Sequence, residues 1–231
     1  MITSNDGTGQ GIHVLRAKET SNWYNVTVSN LTTLSYEEWH LTGGVTFYES
    51  PIEMREVVFH QCHSEDGLNI IKTTFQLEEV TIENTLSDGL DIDFGAGTIV
   101  RSTFNETGND GLDVSGSKID ISDCKFIRTG DKGFSVGEQS TATATSCEFF
   151  MCATGVASKD RSTLDVHGSK FEECDVPVMA YQKKPEFGGS VANLHDSSFK
   201  DNKKACISDT RSTIEFASSP QSIDLVEKVE W

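Results

Sequence analysis

The 231-residue sequence lacks any apolar run that approaches the roughly 18 residues a membrane-spanning helix needs. Basic residues are few: 19 Lys and Arg stand against 36 Asp and Glu, and the formal net charge is -17. A field of this sign repels phosphate backbones. Residues 1–7 contain no basic segment followed by an apolar one, so we expect no secretion signal there. Membrane insertion and nucleic-acid binding are therefore not expected.

Common metal and nucleotide motifs are also missing. The six cysteines form no CxxC pair, and no HExxH, GxSxG or P-loop pattern occurs. Two cysteine pairs, Cys124 with Cys147 and Cys152 with Cys174, occupy equivalent positions 22 or 23 residues apart. A disulfide within each pair is open in principle, but small residues stacked in an interior explain the spacing more simply.

What the sequence does have is an internal repeat. One marker position recurs every 22 residues, at Gly67, Gly89, Gly111, Gly133, Gly155 and Pro177. A second, large and apolar marker recurs at Phe59, Ile82, Phe104, Phe126, Phe149, Phe171 and Phe199. A third run, as in residues 98–100 and 163–166, alternates apolar and polar residues with the period of a strand.

Three short strands per repeat predict an all-β, single-stranded right-handed parallel β-helix of about eight coils. Leucine-rich repeats would show an LxxLxL signature, and propeller blades are about twice as long. We expect the solenoid to span residues 1–217, with an irregular first coil and a loop at 33–41 in which Tyr36 and Trp39 close over that coil. Residues 218–231, which include Ile223, Leu225 and Trp231, are expected to cap the last coil.

Acidic residues concentrate on one predicted face. Alternation points Asp91, Asp93 and Asp113 outward from their strands, where aspartate is depleted and needs a reason. Asp88 and Asp110 directly precede marker glycines. Stacked carboxylates repel and raise each other's pKa unless something neutralises them, and either a bound Ca²⁺ or Lys132 and Lys159 from neighbouring coils would do so. We predict that Ca²⁺, if it binds, lies among these five residues. The alternative for Asp88 and Asp110 is an ordinary turn-capping role.

An insertion at residues 182–189 directly follows Tyr181, which shares an outward position with Asp93 and Lys159. Insertions in a solenoid often border its binding face. We therefore predict a ligand site beside the acidic face. Its binding residues are Lys132, Glu138, Asp160 and Lys184.

Several segments carry a family resemblance: residues 43–51, 64–70, 130–138 and 157–160. They resemble the repeats of bacterial right-handed β-helix proteins of the pectate-lyase-like superfamily. In particular, they are similar to the β-helix of proteins that also carry a spore-coat CotH-like kinase domain. The resemblance implies a carbohydrate ligand that lies along one parallel sheet, at the cell surface or outside the cell. It also implies that the chain is part of a larger multidomain protein.

Three functions remain open at this point. The first is a module that binds a polysaccharide or surface glycan along the acidic face, with Ca²⁺ where the metal site forms. The second is a Ca²⁺-assisted polysaccharide lyase, in which Lys159 or Lys183 is the base and Tyr181 the proton donor. The third is a purely structural rod. Against the lyase, the six arginines are dispersed rather than clustered to grip a polyuronate, and no DPH-type epimerase motif is present.

Overall fold

A computed structural model describes residues 1–36, 39–217 and 226–230. These residues form thirty short β-strands. The first ten are β1 (Ile2–Thr3), β2 (Ile12–Leu15), β3 (Ser21–Tyr24), β4 (Thr27–Ser29), β5 (Leu34–Tyr36), β6 (Trp39–Leu41), β7 (Gly43–Tyr48), β8 (Ile52–Arg55), β9 (Val58–His60) and β10 (Asp66–Ile71). The next ten are β11 (Thr74–Glu78), β12 (Thr81–Glu83), β13 (Asp88–Asp93), β14 (Ala96–Val100), β15 (Thr103–Asn105), β16 (Leu112–Ser115), β17 (Lys118–Ser122), β18 (Lys125–Ile127), β19 (Lys132–Gly137) and β20 (Thr141–Thr145). The last ten are β21 (Glu148–Phe150), β22 (Thr154–Lys159), β23 (Thr163–His167), β24 (Lys170–Glu172), β25 (Val176–Tyr181), β26 (Val191–His195), β27 (Ser198–Lys200), β28 (Cys206–Asp209), β29 (Thr213–Phe216) and β30 (Val226–Val229).

Twenty-eight of these strands build three parallel sheets, because each strand pairs with its equivalent one coil further along the chain. The glycine sheet has the order β2-β7-β10-β13-β16-β19-β22-β25-β28-β30. The phenylalanine sheet has the order β1-β4-β9-β12-β15-β18-β21-β24-β27. The third sheet has the order β3-β8-β11-β14-β17-β20-β23-β26-β29. The right-handed parallel β-helix predicted from the repeat is confirmed, with about ten turns of about 22 residues. The predicted number of coils, about eight, was too low.

The bends between sheets are made by single residues in the left-handed backbone region. In one coil these are Phe94, Arg101 and Glu106, with φ of 53°, 50° and 54°. Each donates its N–H to a carbonyl of the next coil, over 2.8 Å, 3.0 Å and 2.9 Å respectively. Non-glycine residues seldom adopt this conformation, but here the ladder hydrogen bond on every bend offsets its cost. The backbone N–H groups at these three bends are therefore hydrogen-bonded, although the chain turns sharply there.

The interior is a set of stacked side chains. The rings of Phe104, Phe126, Phe149 and Phe171 lie parallel, with successive centroids 4.8 Å, 4.9 Å and 4.8 Å apart. Phe199 continues the stack at 5.2 Å. This confirms the predicted interior line and its register. The marker glycines stack as predicted too, because a Cβ on Gly89 would lie 2.6 Å from the carbonyl oxygen of Gly111.

Buried polar side chains at the corners satisfy the backbone. The hydroxyl of Ser117 accepts the N–H of Gly95 at 2.9 Å and donates to the carbonyl of Ser115 at 2.9 Å. Cysteines take similar corner positions elsewhere, and all six are buried free thiols. Burial raises the pKa of the Cys62 thiol to about 11. The cysteines therefore serve as small interior residues in this structure.

The two ends depart from the repeat. Strands β5 and β6 form an antiparallel hairpin, with Leu34 opposite Leu41, in the predicted loop. The side chains of Tyr36 and Trp39, predicted to cover the first coil, lie outside the described part. So do the predicted cap residues Ile223, Leu225 and Trp231. Strand β30 pairs in parallel with β28, Val226 opposite Cys206, and Val226 packs against the core.

Candidate functional site

The outward face of the glycine sheet brings the predicted site residues together. Along β13, Leu90 and Ile92 are fully buried in the core, so Asp91 and Asp93 point outward. Register places Asp91 beside Asp113 and Asp93 beside Ser115. On later coils of the same face, Lys159 lies beside Tyr181. One face therefore carries both the acidic strands and the lysine and tyrosine predicted beside them.

This face is packed rather than solvated. Several side chains on it are nearly inaccessible to solvent: Thr46, Asp66, Asn69, Asp110, Lys132, Ser135 and Lys159. Some polar atoms there have no hydrogen-bond partner among the described residues: Thr46 Oγ1, Asp66 Oδ2, Asn69 Oδ1 and Ser135 Oγ. Because a buried polar group normally finds a partner, these atoms mark a face whose polar groups are incompletely satisfied.

The residues that precede the marker glycines act on the backbone of the next coil. Asp88 Oδ1 accepts the N–H of Asp110 at 2.9 Å and the side-chain amide of Asn109 at 2.6 Å. Asp110 Oδ1 in turn accepts the N–H of Lys132 at 2.9 Å. These contacts match the turn-capping alternative that the sequence left open for Asp88 and Asp110.

Burial raises the pKa of several of these carboxyl groups. Desolvation, with a smaller contribution from Asp66 and Asp93, raises the pKa of Asp91 to about 9. Burial likewise raises the pKa of Asp66 to about 7 and that of Asp110 to about 6. The pKa of Asp88 and that of Asp93 are raised as well, again mainly by burial. The sequence predicted this direction from like-charge repulsion, but desolvation is the larger cause.

Asp91 is thus a hydrogen-bonding carboxyl group rather than a fixed charge at neutral pH. Its Oδ2 accepts the side-chain amide of Asn69 at 2.9 Å. A protonated carboxyl group can donate a hydrogen bond as well as accept one. The centre of the face can therefore offer both donors and acceptors to a neutral hydroxyl group.

Two lysines neutralise part of the acidic cluster. Lys159 Nζ lies 3.4 Å from Asp113 Oδ1, two coils away. Its stem crosses Gly137, where a Cβ would lie only 3.3 Å from Lys159 Cε. Lys132 Nζ lies 3.4 Å from Asp110 Oδ1 and also pairs with Asp131. Burial alone would lower the pKa of Lys132, but these two carboxylates raise it.

The insertion after Tyr181 is held by its own hydrogen bonds. Asp160 Oδ1 accepts the N–H groups of Lys183 and Lys184, each at 2.7 Å. Gln182 Nε2 donates to the carbonyls of Lys184 at 3.1 Å and Phe187 at 3.0 Å. The buried Asp160 is therefore an anchor of the loop, although the sequence predicted it as a ligand-binding residue.

The remaining predicted residues divide between the face and its rim. Lys184 forms an ion pair with Glu138, which raises the pKa of Lys184. Lys183 is exposed on the insertion. Burial raises the pKa of Tyr181 to about 12, so its hydroxyl keeps its proton and can donate a hydrogen bond. Lys159 and Tyr181 adjoin as predicted, while Lys183 lies apart from the strand face.

The predicted calcium ligands do not fit a metal centre in this arrangement. Among the described residues, no group of three or more His, Cys, Asp or Glu side chains is placed to hold a metal ion. Asp110 and Asp113 are paired with lysines, and Asp91 carries a proton at neutral pH. Calcium binding stays a prediction for solution measurement.

One rim residue was missed by the sequence reasoning. Phe94 sits at the bend after β13 and is 59% exposed. At the equivalent bend the other coils carry Arg16, Glu49, Lys72, Gly116, Glu138 and Asp160. The sequence carried one signal for Phe94: it is an aromatic residue at a bend where these other coils carry a charged residue or glycine.

A groove lies on the third sheet, away from these residues. It has a volume of about 420 Å³, and its lining includes Tyr24, Arg55, Gln76, Glu78 and Arg101. Arg101 is engaged by Glu78 and by Glu79, the latter at 3.2 Å. None of the predicted site residues lines this groove.

Sequence and structure together define the class: a parallel β-helix with one packed polar face. The family model described as "Right handed beta helix region" matches residues 66–219, and the chain belongs to this family. No curated protein matches the chain. The described part contains no helix that could cross a membrane. The finer resemblance to CotH-associated β-helices stays a prediction.

Solved structures match the chain at low identity. Pectate lyase Pel9A is 12% identical with a TM-score of 0.47, and the match covers 98% of this chain and 64% of that one. The catalytic domain of GH87 α-1,3-glucanase in complex with nigerose is 9% identical with a TM-score of 0.41, over 95% of this chain and 55% of that one. This chain thus spans less than two thirds of either protein.

Proposed function

We propose that the chain is a carbohydrate-binding β-helix module that holds a polysaccharide along the outer face of the glycine sheet. The observation that carries the proposal is the in-register row Asn69, Asp91 and Asp113, flanked by Asp93 and Ser115. Coils repeat at about 4.8 Å, so equivalent hydrogen-bonding groups recur at a fixed spacing along the solenoid. A polymer of repeating hydroxylated units matches such a row better than a compact ligand does.

Charge favours a neutral polysaccharide over a polyuronate. The chain carries a net charge of -17, and two lysines of the face are already paired with Asp110 and Asp113. Because Lys132 and Lys159 already pair with these carboxylates, an anionic polymer would be repelled by this field. Hydroxyl groups can instead exchange hydrogen bonds with the protonated Asp91 and the Tyr181 hydroxyl. The proposal places the module at the cell surface or outside the cell.

Lyase chemistry is a weaker candidate. Its favourable observation is that Lys159, the predicted base, lies in register with Tyr181, the predicted proton donor. However, the Lys159 ammonium is nine-tenths buried and paired with Asp113, which holds it away from a substrate on the surface. Absorbance of the unsaturated product, followed with pectate as the substrate, tests this candidate directly.

Affinity electrophoresis tests the binding proposal. Native gels would contain neutral polymers (dextran, mannan, xylan, barley β-glucan) or anionic ones (polygalacturonate, alginate). We expect a neutral polymer to retard the chain, and Ser115→Arg to abolish that retardation by filling the outer face. Thr143→Arg, at a half-buried outward position on the third sheet, is the matched control and should be retarded like the wild type. Retardation by no polymer would overturn the proposal.

A further inference from the structure

Phe94 is an exposed aromatic residue at a bend of the solenoid. Its φ of 53° lies in the left-handed region, where a bulky side chain is uncommon, and 59% of the residue is exposed. The neighbouring coils carry Lys72 and Gly116 at the same bend, so the fold itself does not require phenylalanine there.

The next coil supports this ring. Gly116 occupies the equivalent bend, and a Cβ on it would lie 2.7 Å from Phe94 Cδ1 and 2.8 Å from Cε1. The ring therefore lies against the bare backbone of Gly116, in space that any larger residue would fill. Because that contact fixes the ring from one side, the exposed side forms a rigid apolar surface on the rim of the glycine sheet.

Another aromatic side chain at the end of a strand of this sheet, that of Tyr48, is already occupied. Tyr48, two coils earlier, has Lys72 at 5.7 Å and Arg16 at 5.9 Å from its ring centroid. Lys72 precedes Phe94 by one coil at the same bend, yet its ammonium turns toward Tyr48. The exposed surface of Phe94 is thus left open.

Polar residues lie on the strand ends next to this bend. Asp93 directly precedes Phe94 and lies in register with Ser115. Glu138 and Lys184 are close enough to Asp93 to influence its pKa, Glu138 raising it and Lys184 lowering it. A flat apolar surface at the edge of a polar face complements a pyranose ring, which has a face of C–H groups and a rim of hydroxyls.

We propose that Phe94 is the aromatic platform of a sugar subsite and that it stacks on one neutral pyranose unit of the bound polysaccharide. This inference rests on the proposed function and adds the substrate class and the residue that selects it. Asp93 precedes Phe94 in the chain and Glu138 occupies the same bend two coils later, so this rim carries negative charge and a uronate there would be repelled.

The test is affinity electrophoresis with the neutral polymer that retards the wild type most strongly. We expect Phe94→Ala to bind roughly tenfold more weakly, since loss of an aromatic contact of about 1.4 kcal/mol corresponds to that factor. Phe94→Tyr should retain binding because it keeps the ring. Tyr24→Ala is the matched control: it removes an aromatic that is 55% exposed on the third sheet, and should bind like the wild type.

Each of the other possible results would contradict one specific part of the proposal. Equal binding by Phe94→Ala and the wild type would overturn the platform and leave the proposed function standing. Loss of binding in Tyr24→Ala but not in Phe94→Ala would move the site to the third sheet. Retardation by anionic polymers alone would overturn the neutral ligand class. Retardation by no polymer would overturn the proposed function and the platform with it.

Discussion

The ammonium group of Lys159 reaches back across two coils to lie 3.4 Å from the carboxylate of Asp113. The path exists because Gly137, on the coil between them, has no side chain in the way. This pair joins the acidic coils of the glycine sheet to the coils that carry lysine and tyrosine. It also neutralises one carboxylate of a face that carries many.

We expect Asp113→Asn to lower the free energy of unfolding by about 2 kcal/mol, because it leaves a buried ammonium without its counter-charge. Lys159→Met should cost less, since Asp113 is one-quarter exposed and can be hydrated. Urea denaturation measures both variants and the double variant. The pair would be energetically unimportant if the effects of the single changes simply added in the double variant.

Stability should fall as the pH rises from about 4 to about 9. The folded-state pKa of Asp91, about 9, lies above the usual aspartate value of 3.8. Its contribution is therefore fully present below pH 4 and is lost as the buried carboxyl group ionises. Asp66 and Asp110, with pKa values of about 7 and about 6, act in the same direction. Asp91→Asn should stabilise the protein by at least about 1 kcal/mol at pH 8.

Thermal melts at pH 5 and pH 8 measure this effect. Asp120→Asn, at an exposed position on the third sheet, is the control and should follow the wild type at both pH values. A melting temperature for Asp91→Asn that tracks the wild type at pH 8 would show that Asp91 is hydrated rather than buried.

Phe126→Ala should destabilise the solenoid by about 3–5 kcal/mol, as large-to-small changes in closed cores do. Phe126 is fully buried and stacks on Phe104 and Phe149 at 4.8 Å and 4.9 Å. Phe94→Ala, which removes the same side chain from an exposed position, should cost far less. Chemical denaturation of the two variants side by side checks the contrast, and similar losses would mean that the ring of Phe94 is buried.

Calcium should have little effect on thermal stability. Asp110 and Asp113, two of the five predicted ligands, are already paired with lysines. We expect melting temperatures in millimolar Ca²⁺ and in EDTA to agree within about 1 °C. A rise of several degrees with Ca²⁺ would instead establish a site that binds the native state, as the sequence predicted.

The sequence predicts the fold well because the fold repeats the same coil about every 22 residues. A 22-residue spacing places each Phe of the series on the next, and the structure keeps that register from Phe104 to Phe199. The number of coils was underestimated where the period breaks. Strand β7 follows β2 at a spacing of 33 residues, and β30 joins the glycine sheet after residues 218–225.

The site is only partly predictable from the same pattern. Alternation identifies which residues point outward, and so it brings Asp91, Asp113 and Lys159 to one face. It does not show that Lys159 extends over Gly137, that desolvation outweighs repulsion at Asp91, or that Asp160 anchors the insertion. Each of these depends on side-chain reach and burial between coils, which a one-dimensional repeat does not encode.

The central claim is that a polysaccharide lies along the outer face of the glycine sheet. A crystal structure of the chain with an oligosaccharide of the best-retained neutral polymer tests it most directly. We expect sugar units along the coils of Asp91, Asp113 and Tyr181, with one ring stacked on Phe94. Sugar density confined to the third-sheet groove beside Tyr24 and Arg55 would contradict it.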